Sequence, residues 1–121
     1  SAGLATLAKL DAPLYDKLES LGARMQKGFE DALTKHGATG CVQRVGSMIT
    51  LFFTKGPVKN YGDATPCDTK RFGRWHAEML SRGHYWPPSQ FEAAFISGAH
   101  TDADVDATVA ACGEAIAKSA A

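Results

Sequence analysis

Apolar residues in the first third of the chain return every three or four positions. Leu14, Leu18, Leu21, Met25, Phe29 and Leu33 lie on one stripe, which is the period of an amphipathic α-helix. Lys17, Glu19, Arg24, Lys27 and Glu30 fall mostly off that stripe. The pattern predicts a helix from Leu14 to about His36. Pro13 suits its first turn, where a missing N–H has no helical partner, and Asp11 or Ala12 precedes it as cap. Gly37 is placed to end it, because glycine enters the left-handed region without a Cβ penalty. Upstream, Leu4, Leu7 and Leu10 punctuate a stretch of small apolar residues. Residues 1–10 read as the end of a helix that begins earlier, so the chain reads as part of a longer protein.

At residue 41 the pattern changes. Val, Ile, Thr and Phe dominate residues 41–54, and β-branched and aromatic residues favour strands. Gly46-Ser47 is a natural bend between two short strands. The second, Met48 to Phe53, is apolar on both alternations except at Thr50. Such a strand needs cover on both faces, and the chain's own helices supply only one. Residues 55–67 are rich in Gly, Pro, Asn and Asp and form a loop. Asp68 then caps a helix of about fifteen residues, with Phe72, Trp75, Met79 and Leu80 as its apolar stripe and Gly83 at its end. His84-Tyr85-Trp86 reads as a short strand stopped by Pro87-Pro88. Phe91 to Ser97 fits either a single turn followed by a strand or a strand throughout. Thr101 caps the last helix, and Asp104 completes a capping box. Val105, Val109, Cys112 and Ile116 are its buried stripe. The element order implies one α+β domain over residues 1–121: a small, mostly antiparallel sheet with helices on one face.

Composition narrows the function classes. Thirteen basic and thirteen acidic residues cancel, so no net field favours nucleic acid or an anionic membrane. No apolar run approaches the ~20 residues that span a bilayer. Lys9, Asp11 and Asp16 interrupt the N-terminal stretch too soon for a signal peptide. Cys41, Cys67 and Cys112 stand far apart, and an odd, sparse count suggests free thiols in a reducing cytoplasm rather than a disulfide framework.

The candidate chemistry is sparse. Ser89 has no G-x-S-x-G elbow and reads as a turn hydroxyl after Pro88. His76, His84 and His100 have no compact metal-ligand spacing, and His36 lies at a helix end. Gly37, Gly40, Gly46 and Gly56 are scattered and build no phosphate cradle. Arg71, Arg74 and Arg82 follow helix spacing and read as a solvated face. Glu92 stands out because it sits in an otherwise apolar stretch, and a carboxylate buried there would need a partner.

Two long strings carry a resemblance. RVGSMITLFFTKGPV at 44–58, followed by Tyr61, Asp63, Ala64, Asp68 and Phe72, resembles one block of the glutamate-1-semialdehyde aminomutases. MLSRGHYWPPSQFEAAFISGAHTDADVDAT at 79–108 resembles their second signature, and LYDKLESLG at 14–22 also fits. The resemblance runs through nearly the whole chain in one register. It implies the C-terminal small domain of a fold-type-I pyridoxal 5'-phosphate enzyme related to the class-III aminotransferases. The cofactor, its Schiff-base lysine and its phosphate site would then belong to a separate large domain, the chain's expected partner. This segment would hold no catalytic, cofactor-binding or metal-binding residue and be inactive alone. The implied parent is a homodimer of the cytoplasm or plastid stroma that converts glutamate-1-semialdehyde to 5-aminolevulinate in tetrapyrrole biosynthesis. By the same resemblance, Ser89, Gln90 and Glu92 would line the substrate cavity, and an apolar area on Met48, Leu51, Phe53, Phe91 and Phe95 would seat the rest of the enzyme. His84 and Trp86 depart from the small or aliphatic residues expected beside Tyr85. The competing readings are the small domain of a related class-III aminotransferase, and a non-catalytic fragment that only binds its missing half.

Overall fold

In the structure, a computed structural model that describes residues 1–120, a three-stranded antiparallel sheet lies against helices on one side. A short helix α1 (Ala2–Leu7) leads into α2 (Ala12–Lys35). Strands β1 (Cys41–Val45) and β2 (Met48–Phe52) form a hairpin, followed by the single turn α3 (Tyr61–Ala64) and by α4 (Thr69–Ser81). The chain closes with the two-residue strand β3 (Ala94–Phe95) and α5 (Asp102–Lys118). The sheet order is β1-β2-β3, the α+β arrangement expected from the element order.

The long helices begin and end where their capping residues stand. The Asp11 carboxylate accepts from the Leu14 amide at 2.9 Å, and the Asp68 carboxylate accepts from the Arg71 amide at 2.8 Å. Thr101 and Asp104 form a reciprocal capping box at the start of α5, which satisfies two otherwise orphaned donors. Gly37 and Gly83 follow α2 and α4 with φ of +57° and +83°, a region that L side chains rarely enter.

Pleating divides the sheet into two unlike faces. Val42 of β1, Ile49 and Leu51 of β2, and Phe53 just beyond it point inward and are buried. They meet Leu21, Met25, Phe29 and Leu33 of α2, Phe72, Trp75 and Met79 of α4, and Val105, Cys112 and Ile116 of α5. Trp75 is fully buried at the centre, with its ring 6.1 Å from Phe53, 5.5 Å from Phe72 and 5.6 Å from Trp86. Phe29 extends the aromatic cluster to Trp86 at 5.4 Å. Helix α2 crosses α5 closely at Gly28, where a Cβ would come within 2.5 Å of Val109.

Several expectations need correction. Leu80 is half exposed, because eight residues beyond Phe72 it has rotated to the edge of the stripe while Met79 keeps the centre. Residues 84–86 form no strand; Trp86 is drawn into the aromatic core while Tyr85 stays exposed. Residues 91–97 follow the first of the two readings left open: a turn, then β3. Arg71 and Arg74 are not simply a solvated face. Arg71 donates to the Ile116 carbonyl and Arg74 to the Ser119 carbonyl, at 3.3 and 3.0 Å. Two cations thereby meet the carbonyl end of α5, the negative pole of its dipole. The Arg71 guanidinium also lies 5.1 Å over the Phe53 ring.

Candidate functional site

The outer face of the sheet is the open one. The register sets Val45 opposite Met48 and Met48 opposite Phe95, so these three side chains form one row across all three strands. Their exposures are 74%, 40% and 69%, high for apolar side chains aligned on a sheet. Farther along the same face, the loop after β2 closes over it. The Val58 amide donates to Gln43 at 2.6 Å, and Gly56 packs against Cys41. The Met48–Phe53 segment therefore has cover on its inner face and only half cover on its outer face. Of the apolar residues expected to seat a larger body, Met48, Phe91 and Phe95 are exposed. Leu51 and Phe53 are not, being 0% and 3% exposed on the core side of the pleat.

Beside this row stands the turn after Pro87-Pro88. The Glu92 amide donates to the Ser89 carbonyl at 3.2 Å and closes a four-residue turn. The Ser89 hydroxyl accepts from the Phe91 amide, and the Glu92 carboxylate accepts from the Ser89 amide, both at 3.2 Å. Glu92 is exposed, so it is not the buried carboxylate that its apolar sequence context suggested. Gln90, in the same turn, points the other way. It is 3% exposed, and its side-chain amide donates to the Leu51 carbonyl at 2.7 Å and accepts from the Phe53 amide at 3.2 Å. The turn thus has one buried polar residue and two outward ones, Ser89 and Glu92. Phe91 flanks them, 47% exposed and 5.8 Å from the ring of Tyr61.

The other titratable candidates are occupied locally. His76 Nε2 lies 2.8 Å from the Trp86 carbonyl. His100 Nδ1 accepts from the Ser97 amide at 2.9 Å, and His84 Nδ1 lies 3.1 Å from the Thr108 hydroxyl. Among the described residues no group of three or more His, Cys, Asp or Glu side chains could hold a metal. His84 and Trp86 are thus tied to α5 and to the core. A cleft of about 400 Å³ opens beside them, between β3 and the start of α5, and includes Met25, His84, Phe95 and Thr108 in its walls. Burial pushes the Cys112 thiol up to about 12, far from the thiolate form needed for nucleophilic work.

A pyridoxal phosphate site does not fit these residues. All eight lysines are exposed, and a Schiff-base lysine needs a desolvated setting to lower its pKa. No helix of the described residues is long and apolar enough to cross a membrane.

No family model matches the chain. Individual relatives do. A glutamate-1-semialdehyde 2,1-aminomutase from Sorangium cellulosum is 61% identical over 117 residues, which is 97% of this chain and 27% of that protein. One from Thermus thermophilus is 51% identical over 96% of this chain and 28% of its own length. Over nearly its whole length the chain is similar to one part of the glutamate-1-semialdehyde 2,1-aminomutases. It spans about a quarter of the length of the curated aminomutases it matches. Among solved structures, an omega-transaminase from Sphaerobacter thermophilus matches with TM-score 0.83 and 25% identity, over 99% of this chain and 27% of that one. A glutamate-1-semialdehyde aminomutase from Pseudomonas aeruginosa PAO1 also superposes at TM-score 0.83, over 95% of this chain and 26% of that one. At 20% identity it shows the shared fold alone. The small antiparallel sheet with helices on one face is therefore that of the C-terminal part of pyridoxal-phosphate aminotransferases.

Signals for the outer row were present in the sequence. Met48 and Phe95 were singled out there; Val45 was missed because it looked like one more strand valine. Only the cross-strand register places it with the other two.

Proposed function

We propose that this chain is the small C-terminal domain of a pyridoxal-phosphate aminomutase that converts glutamate-1-semialdehyde to 5-aminolevulinate. The observation that carries the reading is the exposed Val45–Met48–Phe95 row beside the outward Ser89–Glu92 turn. A contiguous apolar surface rimmed by polar groups marks a contact site. Here it provides a seat for the large cofactor-holding domain. Docked in that way, the turn faces the space between the two bodies, and Ser89 and Glu92 line the substrate cavity. Glu92 would set a carboxylate toward the substrate's amine, and Ser89 would add a hydroxyl. The cofactor supplies the electron sink, and the protein positions and shields the substrate. Homodimerisation and a cytoplasmic or plastid location accompany this reading, as does a place in tetrapyrrole biosynthesis.

The competing reading is a class-III aminotransferase that exports the amino group to a second substrate, favoured by the equal structural match to an omega-transaminase. The deciding experiment measures 5-aminolevulinate formed by the full-length protein with and without an external amino acceptor. Formation that does not need the acceptor is the expected result; strict dependence on it would move the chain to the aminotransferases.

A further inference from the structure

Gln90 holds a place in the fold that no cavity residue needs. Strand β2 is the middle strand, but β3 pairs with only its first two residues, Met48 and Ile49. Beyond Ile49, the main-chain groups of β2 that face the β3 side have no strand beside them. Just before the paired stretch the Ser47 carbonyl accepts from the Ile96 amide at 2.9 Å, and past its far end the Phe53 carbonyl accepts from the Asp68 amide at 3.0 Å. Between them, the Leu51 carbonyl and the Phe53 amide are both taken by the Gln90 side chain. A primary amide has a donor and an acceptor set as in a peptide unit. It therefore stands in for the missing residue of β3. Without it, a buried carbonyl and a buried amide would be left unpaired, which is costly.

Gln90 is also the second residue of the turn that ends at Glu92. The Ser89–Glu92 main-chain bond makes that turn one unit. The Glu92 carboxylate returns to the Ser89 amide, and its carbonyl accepts from the Thr50 hydroxyl at 3.4 Å. Anchoring Gln90 into β2 therefore fixes where the Glu92 carboxylate sits on the outer face. We infer that Gln90 is a positioning residue: its side-chain amide completes the edge of β2 and thereby aims Glu92 into the substrate cavity. The inference rests on the reading of Glu92 given above. It moves Gln90 out of the expected set of cavity-lining groups and gives it a role that acts through Glu92.

The test uses the full-length enzyme with three substitutions. Gln90→Met keeps the bulk and removes both hydrogen bonds, and kcat is expected to fall about tenfold or more while KM changes by less than about threefold. In the Glu92→Gln background the same change is expected to lower kcat by less than about threefold, since residues that act as a unit are not additive. Gln90→Glu keeps the acceptor for Phe53 and loses the donor for Leu51 while ionised. Its activity relative to the parent at the same pH is expected to rise as the pH falls and the acid form regains an O–H. Amide exchange at Phe53 reports the clamp itself and is expected to quicken in Gln90→Met. An unchanged Phe53 exchange rate would overturn the clamp. Faster exchange with kcat losses that simply multiply across the two sites would overturn the link to Glu92. A neutral Glu92→Gln would also overturn that link, and with it the cavity reading, while the exchange rate still reports on the clamp.

Discussion

The two faces of the sheet differ sharply in how far their apolar residues are covered. On the inner face Ile49, Leu51 and Phe53 meet three helices and are at most 3% exposed. On the outer face Val45, Met48 and Phe95, chemically just as apolar, are at least 40% exposed. Composition does not separate them. What separates them is whether this chain brings a helix to that side. The inner face supplies stability to the chain itself, while the outer face stays open and, in the function proposed above, is the seat of the large domain.

The largest effect expected from breaking this contrast comes from its inner side. Trp75→Ala empties the centre of the aromatic cluster and is expected to cost about 3–5 kcal/mol, read from the denaturant midpoint at unchanged slope. A loss below about 1 kcal/mol would mean that the inner side is not the core described. The matching change on the outer side is Phe95→Ser. In the 121-residue chain it is expected to shift stability by no more than about 0.5 kcal/mol, as for a surface site. In the full-length protein it is expected to lower the unfolding midpoint clearly, if the row is the proposed seat of the large domain. Equal effects in both contexts would remove the distinction between the faces.

Smaller effects sharpen the picture. Thr101→Ala removes one half of the capping box and is expected to cost about 1 kcal/mol of helix stability. Hydrogen bonds from the Thr101 side chain and main chain hold the Asp104 carboxyl below its usual range. The bond from Arg24 does the same for Asp106. A depressed folded pKa means stability that is present above the ordinary carboxylate range and lost as pH falls through the folded value. The denaturant midpoint is therefore expected to decline on acidification below that range, and Asp104→Asn to flatten part of the decline. Glu92→Gln is expected to be the mildest of all for stability, within about 0.5 kcal/mol, since the side chain is exposed. In the full-length enzyme it is expected to slow turnover. Unchanged turnover with a lower melting temperature would assign Glu92 to structure instead.

Much of the fold was legible in local signals. Asp11, Asp68 and Thr101 capped the helices expected of them, and Gly37 and Gly83 ended two of those helices, because caps act through neighbouring backbone groups. The stripe of α2 read correctly at Leu21, Met25, Phe29 and Leu33, while Leu14 and Leu18 are only half-buried. The failures share a cause. Trp86 looked like a strand residue, yet it fills a hole between Phe29 and Trp75 that only the packed helices create. Arg71 and Arg74 looked solvated because the carbonyl end of α5, about 45 residues further along the chain, cannot be seen from α4. Glu92 looked buried because flanking apolar residues say nothing about which way a turn points.

The amino-acid sequence by itself determined the three long helices with their caps, the β1–β2 hairpin, their order and the resemblance to the aminomutases. Those depend on periodicity, capping and long matching strings, all of which are local or linear. Only the tertiary structure decided which face of β2 is closed, which of three neighbouring polar residues faces in, and that Val45 joins Met48 and Phe95. These depend on strand register and on helices returning from far along the chain. A register shift of one residue would exchange the two faces without altering a single letter.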